Sequence, residues 1–466
     1  MSEESRRPDS ASPESPEEKP QDTSAYGLET RLIHGKMFSG HWNYQDHIIP
    51  PISSSTSYRL ESAQRGAAGF QEFANPELNR DRRAPIYIYD RLDEPSRGML
   101  EHNLQEAEGG EACVTFATVM AAISAALGVL LKTGDTVVTH KTIYGCTYSL
   151  FTNWFPRLGI RVETVDLTDL EALDRVLEQD ENVMVVYGET PCNPSLELLD
   201  LAAIAQRIQA IGEQRPPRRR PFTVIDNTFS TPYCQRPLEH GIDIVVHSLT
   251  KNIGGFGTDM GGAVIAPRLL EPDLLLYRKD FGGVLSPKSA WPTLVYGLPT
   301  LAMRCRRQME TALEVARFLE GHPAIAEVVF PGLESHPQHA LAQRQMKDFE
   351  GRFAPGSMIY FLLAGEPEEV KNLGARFMDR LADEALTITL AVSLGQIRTL
   401  VEHPASMTHA PVPAEHQQDA GIDPGGIRLS IGLEEPADIL RDLDGALRGA
   451  LDNSTSAAPA DPPADP

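Results

Sequence analysis

Between positions 135 and 266, short runs rich in Val and Ile (DTVVTH, RVETVD, VMVVYGE, FTVIDN, DIVVHS, GAVIA) alternate with amphipathic stretches such as DLEALDRVLEQD and DLAAIAQRIQAIG. This alternation constrains the fold more than any other feature. The runs have the composition of strands, and the intervening stretches have the apolar period of helices with one covered side. Strand and helix in alternation predict a largely parallel sheet covered by helices, an α/β class.

After DFGGVLSPKSA a helical pattern runs through Leu294 to Phe318 and suits a bridge to a second unit. Residues 321–451 mix strands (SMIYFLL, IRLSIGL) with helices (EEVKNLGARFMDRLA, EPADILRDLDGALRGAL) and predict a smaller C-terminal α+β domain. The expected organisation is a disordered tail over 1–25, an N-terminal arm over 26–85, a large domain over 86–320, a small domain over 321–452 and a second disordered tail over 453–466. Both tails hold too few apolar residues to offset chain entropy. At 466 residues the chain can bury a large core without disulfides or structural metals. The run QRPPRRRPF (Arg215 to Arg220), broken by prolines between a helix and a strand, predicts a solvated loop rather than a binding patch.

A formal net charge of -23 argues against nucleic-acid and acidic-membrane partners, which are held by basic surface. A small-molecule enzyme fits better. The five cysteines are scattered without any CxxC pair, so neither a disulfide framework nor a zinc cluster is indicated, and a reducing cytoplasm is expected. No apolar core follows Arg6 and Arg7, and the mostly apolar stretch 120–131 is too short to cross a bilayer, so the chain is expected to be soluble.

The stretch TVIDNTFSTPYCQRPLEHGIDIVVHSLTKNIGGFGTDMGGAV carries the chemistry. Asp226 ends one strand and Lys251 follows another, with Ser248 and Thr250 just ahead of the lysine. Each feature suits a pyridoxal 5'-phosphate site. A carboxylate at Asp226 can keep the pyridine nitrogen protonated, Ser248 and Thr250 can hydrogen-bond the phosphate, and Lys251 can bond the aldehyde carbon. Any one Asp and Lys at strand ends would be ordinary structure.

This stretch resembles the signature of the Cys/Met-metabolism (trans-sulfuration) family of fold-type I pyridoxal-phosphate enzymes. The resemblance spans about residues 30–451 and takes in ETPCNPSLELLD, DFGGVLSPKSA, AVSLGQIRTLVEHPASMTHA and GIRLSIGLEE. It implies a large cofactor domain, a small C-terminal domain and a homotetramer built from dimers that share active sites. It also implies roles for single residues. Tyr144 stacks on the cofactor and can act as acid toward the leaving group. Tyr89 and Arg91 reach a neighbouring subunit's phosphate, and the backbone N–H groups of Val119 and Met120 face phosphate at a helix start. Arg428 forks onto the substrate carboxylate, assisted by Asn193 and Ser393, with Glu189 nearby.

Several positions depart from the family pattern. Thr118, Val119 and Met120 replace Ser-Gly-Met, and Val is ill suited to the positive φ that Gly tolerates. Glu94, Pro95 and Ser96 replace Asn-Pro-Thr, and Asn252 stands where an aromatic is frequent. Extra residues lengthen the segment before Tyr89.

The resemblance implies a route in which Lys251 removes the Cα proton and a second deprotonation at Cβ expels a γ-substituent. The remainder is then hydrolysed to 2-oxobutyrate and ammonia, or takes up a thiol. Cys146 resembles the cysteine of methionine γ-lyases, as Lys279 and Asp280 resemble a lyase pair near the substrate pocket; as plain structure, Cys146 would be a small buried filler. Together they favour γ-elimination on a sulfur amino acid, L-methionine first. The alternatives are an O-acetyl- or O-succinylhomoserine sulfhydrylase, a cystathionine γ-synthase or γ-lyase, and, from another class, a catalytically quiet assembly or regulatory relative.

Overall fold

The computed structural model describes residues 24–35, 47–78, 83, 86–405, 407 and 423–452. The tails expected to be disordered lie outside the described residues, apart from Ser24 and Ala25. Seven strands form the larger sheet: β1 (Ala112–Phe116), β2 (Thr136–His140), β3 (Arg161–Val165), β4 (Val183–Glu189), β5 (Phe222–Asp226), β6 (Ile244–Ser248) and β7 (Gly262–Ala266). Their order is β1-β7-β6-β5-β4-β2-β3. The five strands from β3 to β6 are parallel, and β7 runs antiparallel to both β6 and β1.

Five of these strands, β1, β2, β4, β6 and β7, are buried at every position, as expected where helices cover both faces. Edge strand β3 instead exposes Arg161 and Glu163, charges that discourage pairing with another chain.

The arginine run keeps Pro216, Pro217 and Arg218 exposed, as a solvated loop should, but three of its arginines are fastened, which corrects the expectation in part. Arg215 donates to the carbonyls of Val183 (2.9 Å) and Asp180 (3.0 Å), Arg219 pairs with Asp135 at 2.9 Å, and Arg220 pairs with Asp243 at 2.8 Å. Guanidinium forks satisfy carbonyls and carboxylates at the strand ends, so the loop fastens the sheet instead of waving in solvent.

The second sheet has the order β10-β11-β12-β9-β8, from β8 (Ile325–Val329), β9 (Met358–Leu363), β10 (Ile388–Leu390), β11 (Thr399–Glu402) and β12 (Gly426–Ser430). The helices Pro367–Glu384 and Pro436–Asp452 cover it, with Phe361, Phe377, Leu381, Ile427 and Leu443 in one core. Each such buried side chain contributes about 1.5–3 kcal/mol. The bridging pattern expected from Leu294 resolves into short turns followed by the helix Leu301–Glu320. Its first turns pack into the large-sheet core through Leu301, Ala302 and Cys305, and its last into the small-sheet core through Val315, Ala316 and Leu319. No helix among the described residues is long and apolar enough to cross a membrane.

Candidate active site

In a parallel sheet, ligands gather outside the carboxyl ends of the strands. Here Tyr144 follows β2, Glu189 ends β4, Asp226 ends β5 and Ser248 ends β6, while Val119 follows β1. All of these residues line one cavity, joined by Asn193, Thr228, Lys251, Ser393 and Arg428, with apolar walls from Phe229, Val392 and Leu394.

Lys251 lies in the turn Leu249–Ile253, out of helical geometry at φ -92°, ψ -141°. Leu249 and Ile253 are buried on either side of it. Arg304, itself buried, donates to the carbonyls of Asn252 (2.7 Å) and Gly297 (2.7 Å), which pins the turn to the bridging helix. Asn252 packs against Gly395, where a Cβ would lie 2.5 Å from the Asn252 nitrogen. That close approach delivers the 393–395 loop to the lysine. Lys251 Nζ then donates to Ser393 Oγ at 2.7 Å. Ser393 holds φ at 98°, a conformation costly for a non-glycine residue, and its carbonyl accepts from Arg428 Nη2 at 3.0 Å. Burial lowers the Lys251 ammonium to about 8, helped by the nearby Arg428 charge.

Arg428 is buried on β12 and donates through Nη1 to Asn193 Oδ1 at 2.7 Å. Asp226 Oδ1 accepts from the Thr228 N–H at 2.9 Å. Burial raises the Asp226 carboxyl, and Thr228, His247 and Lys251 oppose the rise. Glu189 Oε1 accepts the Tyr144 N–H at 2.7 Å and is pushed well up by burial and then by the Asp226 charge. The Tyr144 phenol is also raised, by burial first and then by the neighbouring Cys146 thiol.

Other expected residues stand back from this cavity. Thr250 Oγ1 accepts from Gly261 N–H at 3.1 Å, and Met120 follows Val119 on the helix Val119–Gly128 without lining the cavity. Cys146 is exposed rather than the buried filler that plain packing would make it. Tyr89 and Arg91 are exposed, with the guanidinium 5.5 Å from the ring centroid and Nη1 donating to the Lys279 carbonyl at 2.8 Å. Lys279 and Asp280 pair with each other at 3.3 Å.

The departures find local explanations. Thr118 is the N-cap of the helix Val119–Gly128, accepting from Ala121 N–H at 3.1 Å, and Val119 takes no positive φ. The room is made by Gly262 on β7, where a Cβ would lie 2.4 Å from the Thr118 carbonyl oxygen. Glu94 takes over a capping role at the helix Pro95–Glu108, its carboxylate accepting from the Ser96 and Arg97 N–H groups.

Sequence reasoning missed Glu402, which is buried 2.8 Å from Arg428 Nη2. It lies in the quoted stretch AVSLGQIRTLVEHPASMTHA, but only strand register reveals it, as the residue opposite Arg428. His140, Cys192 and Glu197 also cluster, within 4.8 Å of one another. His140 Nδ1 accepts the Leu167 N–H at 3.0 Å, which leaves the neutral ring's proton on Nε2 toward Glu197. Both ring nitrogens are thus engaged by protein partners.

A buried carboxylate, a lysine of lowered pKa, a hydroxyl at a strand end and a helix start, all facing one cavity, match the donors that pyridoxal phosphate requires. The chain matches the family described as Cys/Met metabolism PLP-dependent enzyme over residues 29–448. The protein belongs to this family. As a member it is a pyridoxal-phosphate-dependent enzyme. It is 39% identical over 428 residues to an L-methionine gamma-lyase of Fusobacterium nucleatum subsp. polymorphum, covering 91% of this chain and 99% of that one. A cystathionine gamma-lyase of Bacillus subtilis is 37% identical over 362 residues, 78% of this chain and 88% of the relative. Among solved structures, cystathionine gamma synthase from Xanthomonas oryzae pv. oryzae superposes with a TM-score of 0.78 at 34% identity, covering 92% of this chain and 99% of that one.

Proposed function

We propose that this family member catalyses γ-elimination on L-methionine, taking up water and giving methanethiol, 2-oxobutyrate and ammonia. The observation that carries this reading is the single cavity lined by Lys251, Asp226, Arg428 and Tyr144, with Cys146 two residues after that tyrosine. The cofactor supplies an electron sink for charge at the substrate Cα. Asp226 would keep the ring nitrogen protonated, Ser248 and the N–H group of Val119 would bind the phosphate, and Tyr144 would pack on the ring. Arg428 binds the substrate carboxylate, and Asn193 and Ser393 hold the guanidinium in place. Lys251 removes the Cα proton; an amine near its pKa at working pH can both accept and return a proton. Tyr144 donates to the departing thiolate, its phenol kept protonated by burial.

The likeness to cystathionine gamma synthase favours a second reading, γ-replacement on an activated homoserine ester. We also infer a homotetramer of dimers in the cytoplasm, in which Tyr89 and Arg91 reach a neighbouring copy's phosphate; their exposure supports it. The chain divides in this reading near residue 320 into cofactor and small domains. Purified, cofactor-loaded protein is expected to release methanethiol and 2-oxobutyrate from L-methionine. No release from visibly loaded enzyme would move the assignment to γ-replacement.

A further inference from the structure

Arg428 and Glu402 are direct partners across antiparallel β12 and β11, so register alone brings their side chains to the same face. The carboxylate oxygen Oε2 lies 2.8 Å from Nη2, and the two side chains are 1% and 3% exposed. Asn193 holds Nη1 and the Ser393 carbonyl holds Nη2. The guanidinium therefore meets a substrate with an internal anion already at its side. In a low-dielectric site that anion does two things. It draws the guanidinium toward β11 by charge, and it weakens the pull on a second carboxylate by neutralising part of the charge.

We propose that Glu402 is a positioning residue for Arg428 and sets the affinity of the site for the α-carboxylate of its amino-acid substrate. The inference rests on the reading that Arg428 receives that carboxylate. Removing the charge while keeping an acceptor, as in Glu402→Gln, leaves Arg428 in place and short of a counter-ion. The substrate carboxylate then supplies it, and binding tightens. Removing the side chain, as in Glu402→Ala, also removes the prop, so the fork loses its orientation and binding weakens.

Glu402 also acts on Lys251. The charged groups that bear on the Lys251 amine are Arg428, which favours its neutral form, and Glu402 and Asp226, which favour its charged form; Tyr144 and Glu189 line the same cavity. Loss of the Glu402 charge therefore moves the lysine's titration to lower pH, a change that a purely structural role would not produce.

The test uses L-norleucine, which has a carboxylate and an apolar chain but no leaving group, as the binding probe for the cofactor-loaded protein. Its dissociation constant is expected to fall about fivefold in Glu402→Gln and to rise in Glu402→Ala. In cofactor-free protein, the midpoint of the pH dependence of pyridoxal phosphate capture is expected to fall in Glu402→Gln. If that variant does not fold, Glu402→Asp, which draws the charge away from Nη2, is expected to shift both readouts in the same direction by less. Arg428→Ala separates the two levels. If it leaves norleucine binding unchanged, the carboxylate reading fails and this inference with it. If it weakens binding while Glu402→Gln moves neither the dissociation constant nor the midpoint, the role of Glu402 alone is refuted.

Discussion

Glu189 and Asp226 are register partners on the parallel strands β4 and β5, and their carboxyls enter the same cavity. Two desolvated carboxylates side by side cannot both stay ionised, so one keeps a proton. Asp226 is held toward its anion by Thr228, His247 and Lys251, whereas Glu189 has the Tyr144 N–H against both burial and the Asp226 charge. The shared proton is therefore expected on Glu189, which leaves Asp226 as the anion proposed to face the ring nitrogen.

A carboxyl raised above its ordinary value of 4.5 keeps in the folded state a proton that the unfolded chain releases. Its contribution to stability is full below about 4.5 and drains away as pH rises toward the folded value. Glu189→Gln keeps the acceptor for Tyr144 and has no proton to lose. In cofactor-free protein, the melting temperature of Glu189→Gln is expected to gain on the parent as pH is raised from about 5 to 8. A difference that stays flat with pH would put the shared proton elsewhere.

The Lys251 amine, lowered to about 8, is mostly neutral and nucleophilic only above that pH. The rate of pyridoxal phosphate capture by cofactor-free protein is expected to rise about tenfold per pH unit below this value and to level off above it. Lys251→Ala is expected to lose both the visible absorption band of the bound cofactor and all turnover; retained activity would remove the lysine from its assigned role.

Arg428→Ala is expected to weaken substrate binding by about 2 to 4 kcal/mol, the scale of losing one partner of a buried charge-paired contact. The ratio of apparent affinities for L-methionine in the two proteins reads this directly. An unchanged affinity would take Arg428 out of the carboxylate site.

Val119 sits at the first turn of a capped helix rather than in a glycine conformation. Restoring glycine with Val119→Gly is therefore expected to leave cofactor affinity nearly unchanged and to cost about 0.5 kcal/mol of stability or less, the difference in helix propensity. Denaturant titration and cofactor titration read the two quantities separately. A large gain in cofactor affinity would show that Val119 obstructs the phosphate site.

Cys146→Gly removes the thiol two residues from Tyr144, one of the groups that raise its phenol. The ratio of methionine to cystathionine turnover is expected to change, because the acid beside the leaving group loses that neighbour. An unchanged ratio would mean that the thiol takes no part in choosing the substrate.

The sequence by itself determined six strands of the large sheet and its largely parallel class, because each carries its own period, but not β1, the antiparallel course of β7 or the small-sheet strands β8, β10 and β11. It also determined that Lys251, Asp226 and Ser248 share one end of that sheet, since each closes or follows a strand of the same direction. Tertiary structure decided the rest. Glu402 meets Arg428 only through the register of β11 on β12, and the space for Val119 comes from Gly262, more than a hundred residues away. Arg215 and Arg219 read as solvated until the strand ends that they fasten are in place. Local pattern reports what a segment prefers alone, whereas desolvation, charge pairing and close approach depend on which distant segment packs against it.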